Sequence, residues 1–411
     1  MEPALPTSPT ERYPSMDVLR GFALLGILLV NIQFFWGPFM ATSMSPWREL
    51  AHPWLLMAVT FLVQGKFYGL FSFLFGAGFA VQAERLEDRG VAPARIYRRR
   101  LWVLLAFGLV HGTLLWMGDI LAVYALLGFL LLAFRKRKPR TLLIWAFSLL
   151  AVGTLLILVG WLVLTWAVSL PQAAPELAKA KAEEQVRTAQ AMAASLQAYG
   201  HGPYALLFKQ RLKDLLHNYA MTWGVLPQIL AMFLLGAWTA RRGVFRAPEA
   251  HTSLLRNVQI WGFVWGLAGN GLFAWAMDKG MPGPGNTLAL LGFAAYFTAA
   301  PALTLAYAAT VLRALGRPSL QGLLQPLAAP GRTALSNYLS HTVVMTTVFY
   351  FYGGGLYGKL PLLACYGLAV GLYVLLLWLS SLWLTRFAMG PAEWLWRRLT
   401  YGHAPPFRRE G

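Results

Sequence analysis

The sequence is poor in cysteine and in charged residues, and each shortage excludes a class of protein. A single cysteine, Cys365, among 411 residues excludes a disulfide framework and a thiolate metal cluster. Only 12% of the residues are charged, whereas soluble chains carry about a quarter. Together with a hydrophobic fraction of 57%, this composition predicts a protein that crosses a membrane several times.

Acidic residues are scarcest of all, and none lies in the middle of an apolar run. The chain has 16 Asp and Glu against 35 Lys and Arg, a formal net charge of +19. Only Asp17 and Asp119 approach an apolar run, and both stand at its end. Ion-coupled transporters commonly place a carboxylate at mid-membrane, so this pattern disfavours a transporter but leaves it as an alternative. The seven histidines are dispersed, and their spacing predicts no metal site.

The abundant feature is the apolar run, and about ten runs are long enough to cross a bilayer as helices. They lie near 16–36, 54–83, 98–115, 119–134, 141–169, 221–240, 255–277, 286–312, 332–352 and 361–385. Most of the 35 Lys and Arg residues fall in the even-numbered connections and in the tails, which predicts that both termini are cytoplasmic. The charge is therefore a topology signal, and we expect no nucleic-acid partner. The predicted fold is an all-α polytopic bundle.

These runs divide the chain into five parts. We expect a disordered cytoplasmic tail, an N-terminal five-span half, an extracytoplasmic amphipathic segment, a C-terminal five-span half and a cytoplasmic interfacial tail: 1–14, 15–169, 170–220, 221–389 and 390–411. The extracytoplasmic segment is rich in Ala, Glu and Lys, which favours helix. It is either a lid over the bundle or a solvated excursion.

The stretch HGTLLWMGDILAVY, residues 111–124, joins the third and fourth runs through a short turn on the outer side. It places His111 and Asp119 on either side of that turn. Ionisable groups near membrane depth usually face a bundle interior or a cavity. The hairpin therefore either holds two polar residues at the wet interface or forms the floor of a reaction site.

Two further polar residues stand inside apolar runs. Lys66 lies in the middle of the second run, where an ammonium costs roughly 2.5–3.5 kcal/mol or more. It needs a carboxylate, an anionic ligand or a water-filled cavity, and Asp119 is the carboxylate that could pair with it. Asn31 lies near the outer end of the first run, on the face that carries Asp17 and Arg20. It is either a helix–helix hydrogen-bonding residue or an oxyanion donor.

A polar stripe marks the ninth run, formed by Thr333, Ser336, Asn337 and Ser340 with His341 at its edge. The stripe predicts either hydrogen bonds between helices or contacts with a substrate. On the second interpretation, Asn337 and His341 join Arg20, Arg100 and Arg332 as candidate substrate-binding residues.

Five motifs in order carry a resemblance to a known family: RGFALLGILLVNI, KFYGLFSFLFGAGF, HGTLLWMGDILAVYALLG, GRTALSNYLSHT and GPAEWLWRRLTYG. They resemble the YeiB-like family of bacterial inner-membrane proteins over nearly the whole chain. The C-terminal half of that family is a domain of unknown function. Its N-terminal half is similar to transmembrane acyltransferases, including heparan-α-glucosaminide N-acetyltransferase.

In that acyltransferase an RG…VN pattern in the first span precedes a catalytic histidine. Arg20–Gly21 and Val30–Asn31 match the pattern. His52 lies in roughly the corresponding loop, but its spacing differs, and His111 in the family's own HG…GDIL motif is the alternative.

The resemblance implies an acyltransferase of the bacterial cytoplasmic membrane that moves an acyl group from cytoplasmic acyl-CoA to an extracytoplasmic or lipid-linked acceptor. Acyl-CoA is then a co-substrate, and we expect no bound cofactor. His111 would be the general base, Asp119 would orient it, and Asn31 or Lys66 would stabilise the oxyanion. The alternatives are a transporter or flippase of a small anionic or lipid-like substrate and a non-catalytic scaffold. The expected partners are the bilayer and acyl-CoA or another anionic ligand, and a homodimer is compatible with the sequence.

Overall fold

The computed structural model describes residues 13–38, 52–170, 173–279, 286–403 and 406–409. Within these ranges the chain is helical, and its β pairing is limited to an isolated bridge between Phe387 and Arg408. The helices are α1 Pro14–Trp36, α2 Pro53–Leu62, α3 Lys66–Asp88, α4 Pro93–Val110, α5 Leu121–Leu131, α6 Pro139–Ser169, α7 Ala173–His201, α8 Tyr204–Thr222, α9 Leu226–Arg241, α10 Thr252–Lys279, α11 Thr287–Leu315, α12 Pro318–Leu324, α13 Ala328–Arg332, α14 Ala334–Phe349, α15 Leu362–Arg386 and α16 Pro391–Tyr401.

Six helical stretches in the described part of the chain are long and apolar enough to cross a membrane: Pro14–Trp36, Pro53–Asp88, Pro139–Ser169, Tyr204–Arg241, Thr287–Leu315 and Leu362–Arg386. The protein is therefore an all-α, multi-pass membrane protein. The other four predicted spans also fall on helices, namely α4, α5, α10 and α14. These four are too short or too polar to meet the same requirement, since α5 has only 11 residues and α4 begins among arginines.

The three segments predicted to lie outside the spans differ in how the structure describes them. Helix α1 begins at Pro14, and the rest of the tail, residues 1–12, lies outside the described residues. The predicted amphipathic segment forms α7 and α8, and α8 runs through a 3-10 turn at Trp223–Val225 into α9. The C-terminal tail forms the short helix α16, which packs against α4 and α14.

Glycines allow helices of the two halves to cross in close contact. Helices α3 and α9 meet where a Cβ at Gly76 would collide with the Phe233 carbonyl oxygen, and a Cβ at Gly236 would collide with the Phe73 carbonyl oxygen. Small residues let backbones approach closely inside a membrane, where packing rather than hydrophobicity drives helix association. The two halves are therefore joined by a crossing that only glycine permits.

The second span is broken in its middle. Helix α2 ends at Leu62, and Gly65 takes a left-handed conformation with φ of 86° before α3 begins at Lys66. At the break the Gln64 N–H donates to the Val59 carbonyl instead of the Thr60 carbonyl. The Thr60 carbonyl is therefore open to a donor from outside the regular helical hydrogen bonds. The Lys66 ammonium donates to that carbonyl at 2.8 Å. A helix C-terminus favours a cation, so the break itself supplies a partner for the buried lysine.

We expect Gly236→Ala to destabilise the bundle, because overpacking a helix crossing costs about 1–3 kcal/mol. The midpoint of thermal unfolding in detergent should fall by several degrees. Gly371→Ala in α15 is the matched control, since a Cβ there meets nothing within 4 Å. Equal midpoints for the two variants would contradict the close crossing.

Candidate functional site

The hairpin of residues 111–119 is built by two irregular pieces of backbone. Helix α4 passes into a π-helical turn at His111–Leu115, a distortion that is frequent at functional sites. On the return, Asp119 caps the start of α5, because its carboxylate accepts the backbone N–H groups of Leu121 at 3.2 Å and Ala122 at 2.9 Å. Both ends of the turn are thereby fixed relative to the helices.

His111 and Asp119 are in direct contact. His111 Nδ1 lies 3.0 Å from Asp119 Oδ1, and His111 Nε2 lies 2.9 Å from the hydroxyl of Thr342 in α14. The two ionisable residues are only 1% and 2% exposed. They therefore lie inside the bundle rather than at a wet interface. The result is a buried line of hydroxyl, imidazole and carboxylate.

Helix α8 holds the hairpin from outside. Tyr219 donates to Asp119 Oδ2 at 3.1 Å, and Asn218 donates to the Met117 carbonyl at 3.2 Å. The buried guanidinium of Arg211 donates to the carbonyls of Thr113, at 3.4 Å, and Leu114 at the end of the π-helical turn. The segment was predicted to be either a lid or a solvated loop, and its second helix, α8, instead binds the hairpin through these side chains.

Tyr338 and Thr342 are site residues that the sequence analysis missed. The Tyr338 hydroxyl donates to the Gly118 carbonyl at 3.2 Å, and its ring centroid is 5.0 Å from that of His111. The two residues are four apart in α14, which puts them on one helix face. This i, i+4 pair of polar residues inside the motif NYLSHT, next to the polar stripe of the ninth run, is the sequence feature that indicates them.

A cavity of about 300 Å³ runs from the end of the bundle that carries α16, here called the tail end, toward the hairpin. Five arginines and two carboxylates line it: Arg20, Arg85, Arg100, Arg332, Arg397, Asp17 and Glu393. Its inner part is lined mainly by apolar side chains and by Tyr338, whose ring centroid lies 5.0 Å from that of His111. The cavity is therefore cationic at one end and hydrocarbon-like at the other, which suits an amphipathic anion.

All three predicted substrate-binding arginines line this cavity. Arg20 pairs with Asp17 at 2.9 Å. Arg100 donates to Gln82 at 2.8 Å and lies 4.1 Å from the ring centroid of Trp396. Arg332 donates to the Ala388 carbonyl at 3.4 Å. The basic stretch RKRKPR, residues 135–140, does not contribute to the lining.

Asn337 and His341 lie elsewhere. The Asn337 amide donates to Thr333 at 2.8 Å and to Ser380 of α15 at 3.0 Å, so it links helices, and it does not line the cavity. His341 is 3% exposed, and neither ring nitrogen has a hydrogen-bond partner within the described ranges.

The four predicted catalytic residues do not form one cluster. Lys66 donates to the Thr60 carbonyl and faces the Tyr296 ring at 5.6 Å, whereas the Asp119 oxygens are taken by His111, Tyr219 and two backbone groups. The predicted Lys66–Asp119 ion pair is not formed, because each group already has other partners. Asn31 is half-buried and has no hydrogen bond to His111 or Asp119, and neither does His52, in the part of the chain that the structure describes.

The C-terminal helix α16 forms one wall of the cavity. Its Glu393 caps α14: the carboxylate accepts the N–H groups of Leu335 at 2.6 Å and Ser336 at 3.2 Å, and the Ser336 hydroxyl at 2.6 Å. Burial raises the pKa of the Glu393 carboxyl above its ordinary value, while these hydrogen bonds act in the opposite direction. The tail is thus part of the candidate site, a role that its amphipathic pattern did not indicate.

These features define a multi-pass membrane protein with a buried His–Asp pair beside an arginine-lined cavity. Residues 239–403 match the model of a protein family of unknown function, DUF418. The chain is 37% identical to the uncharacterized protein YxaH of Bacillus subtilis over 96% of both chains. It is 31% identical to the uncharacterized protein YeiB of Escherichia coli over 96% of this chain and 98% of that protein.

The chain belongs to this DUF418, YeiB-like family, and the resemblance drawn from the five motifs is confirmed. These two relatives are both described as uncharacterized, so the similarity to transmembrane acyltransferases stays a prediction.

We expect Arg211→Met to weaken the binding of α8 to the hairpin, since it leaves buried carbonyls without donors at about 1–3 kcal/mol. The thermal midpoint should fall by several degrees in detergent. Arg187→Met is the control, because Arg187 lies exposed on α7 and pairs only with exposed Glu184 within the described residues. A midpoint for Arg211→Met equal to that of the control would show that α8 does not hold the turn.

Proposed function

We propose that this protein is an integral membrane acyltransferase that takes an acyl group from cytoplasmic acyl-CoA and passes it to an extracytoplasmic or lipid-linked hydroxyl or amine. The observation that carries the proposal is the cavity, which begins among arginines and ends at Tyr338, whose ring contacts His111. A donor with a charged head and a flexible thioester arm matches that gradient.

The proposal uses ten spans with both termini in the cytoplasm of a bacterium, in the inner membrane. Contacts at the two ends of the bundle support this topology. Connections predicted to be cytoplasmic, and the end of the second span on that side, meet at the tail end. There Gln82 donates to Tyr401 at 2.8 Å, and Arg241 donates to the Arg137 carbonyl at 2.6 Å. The mouth of the cavity would then face the cytoplasmic acyl-CoA pool.

The opposite end gathers the segments predicted to be extracytoplasmic. The Trp36 indole donates to the Leu360 carbonyl at 2.6 Å, and the Phe351 N–H donates to the Tyr199 carbonyl at 2.9 Å. Arg211 of α8 donates to Leu114 in the hairpin at this same end. His111 and Asp119 therefore stand closer to the outer face than the arginines do, which would suit an acceptor arriving from outside or from the lipid.

The arginines fit the donor's phosphates. A guanidinium presents planar donors that match phosphate oxygens, and it stays charged at any relevant pH. With Asp17 and Glu393 counted, the lining retains a positive excess, which would attract an anionic head group. At about 300 Å³ the cavity holds a thioester arm rather than the whole of CoA, so the nucleotide would remain at the mouth.

His111 is suited to act as a general base. Asp119 accepts a hydrogen bond from Nδ1, which fixes the imidazole as the tautomer with a free electron pair on Nε2. That nitrogen can take the proton of an attacking hydroxyl. Lys66 and Asn31 have no hydrogen bond to this pair within the described ranges, and they have no step in the mechanism proposed here.

One observation favours a transporter or flippase as the second candidate. The second span is discontinuous, with Lys66 at the break, and secondary transporters often build their substrate site at broken helices near mid-membrane. The same arginine-lined cavity would then bind the head group of an anionic lipid. Flux of such a substrate in sealed liposomes without any CoA would favour this candidate.

Acyl-CoA should stabilise the purified protein, because a ligand that binds only the native state adds about 2.7 kcal/mol at a hundredfold excess over its dissociation constant. We expect palmitoyl-CoA to raise the thermal midpoint of the wild type. Arg100→Gln should weaken this response about tenfold or more in apparent affinity, since it removes a charged donor. Arg187→Gln, on exposed α7, is the control and should respond like the wild type. The proposal is contradicted if palmitoyl-CoA leaves the thermal midpoint of the wild type unchanged.

His111→Gln should lower acyl transfer about 10²–10⁴-fold, the usual contribution of a general base. Transfer is measured as acyl label moved from acetyl-CoA or palmitoyl-CoA to a total bacterial lipid extract. The variant should keep the palmitoyl-CoA-dependent rise of the thermal midpoint, which shows that fold and donor site remain. His201→Gln, at the exposed end of α7, is the control. If His111→Gln transfers acyl groups as fast as the wild type, His111 is not the general base.

A further inference from the structure

Thr342 occupies the position of an activated nucleophile. Its hydroxyl lies 2.9 Å from His111 Nε2, and His111 Nδ1 lies 3.0 Å from Asp119 Oδ1. A hydroxyl, an imidazole and a carboxylate bonded in this order form the arrangement by which unrelated folds activate a serine or threonine for acyl transfer. The threonine is itself 1% exposed, so water does not compete for the imidazole.

The direction of the protons follows from the partners of Asp119. Besides His111, its carboxylate accepts two backbone N–H groups and the hydroxyl of Tyr219, so every neighbour donates to it. With these partners the carboxylate serves as a hydrogen-bond acceptor, and His111 Nδ1 is the donor in the bond that joins them. The His111 proton therefore stays on Nδ1, and the electron pair of Nε2 faces the Thr342 hydroxyl. The other polar neighbour of that hydroxyl, the Tyr338 carbonyl, is more distant at 3.5 Å.

A donor for a developing oxyanion stands beside this line. The indole Nε1–H of Trp116 is buried and has no acceptor in the part of the chain that the structure describes. Its ring is stacked on Phe35 at 4.1 Å and lies 6.3 Å from the ring of His111. Buried polar groups are nearly always paired, so this N–H is a donor near His111 that remains available to an oxygen of a bound ligand.

Tyr338 connects Thr342 to the cavity. It precedes Thr342 by one helical turn in α14, lines the inner end of the cavity and contacts the ring of His111. Thr342 itself does not line the cavity. A thioester that fills the apolar end therefore meets Tyr338 first, and rotation of the Tyr338 ring would admit its carbonyl carbon to the Thr342 hydroxyl.

We propose that Thr342 carries the acyl group as a covalent ester between donor and acceptor, an inference that rests on the acyltransferase function proposed above. In the first step Thr342 Oγ1 bonds to the thioester carbonyl carbon and the carbon–sulfur bond breaks. The hydroxyl proton passes to His111 Nε2 and from there to the leaving sulfur, so free CoA thiol is released. Asp119 keeps its hydrogen bond to His111 Nδ1, and nothing is oxidised or reduced.

In the second step the acceptor hydroxyl or amine attacks the carbonyl carbon of the threonine ester. Its proton passes to His111 Nε2, the bond between that carbon and Thr342 Oγ1 breaks, and the proton returns to Oγ1. CoA can leave toward the cavity mouth before the acceptor arrives. One buried site can then serve a donor and an acceptor that reach it from different sides.

The first measurement omits the acceptor. Detergent-purified protein is incubated with acetyl-CoA or palmitoyl-CoA that carries label in the acyl group, and bound label and released CoA thiol are counted. We expect the two to be equal, with at most one acyl group per protein, labile to alkaline hydroxylamine and located by mass spectrometry on the peptide that contains Thr342.

The second measurement compares variants. Thr342→Val keeps the shape and removes the hydroxyl, so it should bind no label and lose transfer at least a hundredfold, while it keeps the palmitoyl-CoA-dependent rise of the thermal midpoint. Thr342→Ser restores a hydroxyl and should keep both label and transfer. Thr347→Val is the control, because Thr347 is exposed on the same helix and its hydroxyl donates to the Val343 carbonyl one turn earlier.

The outcomes separate this inference from the acyltransferase proposal. If Thr342→Val transfers acyl groups at the wild-type rate while His111→Gln does not transfer them, the acyl group passes directly from donor to acceptor. This result overturns the threonine ester alone. Label that persists in Thr342→Val places the acyl group on another residue and also overturns it. A wild type that neither binds acyl label nor transfers it overturns both.

Discussion

Hydrocarbon offers no hydrogen-bond partner, so the backbone groups and charged side chains inside this bundle depend on partners within the chain. The constraint explains the buried lysine. Lys66 sits at a helix break that exposes the Thr60 carbonyl, and its ammonium takes that carbonyl at 2.8 Å. It also explains Pro301, which has no N–H for the carbonyl of Phe297; Gln228 of α9 supplies the missing donor at 3.2 Å.

Where this rule is satisfied most completely, the backbone is most irregular. Asp119 accepts from four donors. Arg211 of α8 bonds carbonyls of the π-helical turn, and Asn218 of α8 bonds the Met117 carbonyl just after it. Side chains of Asp119, Arg211 and Asn218 thus bond backbone groups that the irregular hairpin leaves without helical partners. These contacts orient the hairpin that carries the imidazole, and proton transfer depends on such orientation.

The sequence predicted the elements better than their partners. Each of the ten apolar runs falls on a helix, and the turn at residues 116–118 correctly indicated that His111 and Asp119 would lie close together. The partner of Lys66 could not be inferred, because a backbone carbonyl leaves no trace in a side-chain pattern. Thr342 is 231 residues from His111, and only the packing of α14 against the hairpin reveals the pair. The sequence indicated Arg20, Arg100 and Arg332 as candidate binding residues. That they line one cavity depends on how α1, α4 and α13 pack, which the sequence does not show.

Helix α14 unites the parts of the candidate site. Its first turn is held by Glu393 at the tail end, Tyr338 comes next at the inner end of the cavity, and Thr342 follows one turn further on. At 1.5 Å of rise per residue, the eight steps from Ala334 to Thr342 span about 12 Å along the helix axis. A ligand that displaces Glu393 or Tyr338 therefore acts on the same rigid rod that carries the Thr342 hydroxyl. In the proposed mechanism, occupation of the arginine-lined end would be linked through this one helix to the position of the Thr342 hydroxyl against His111.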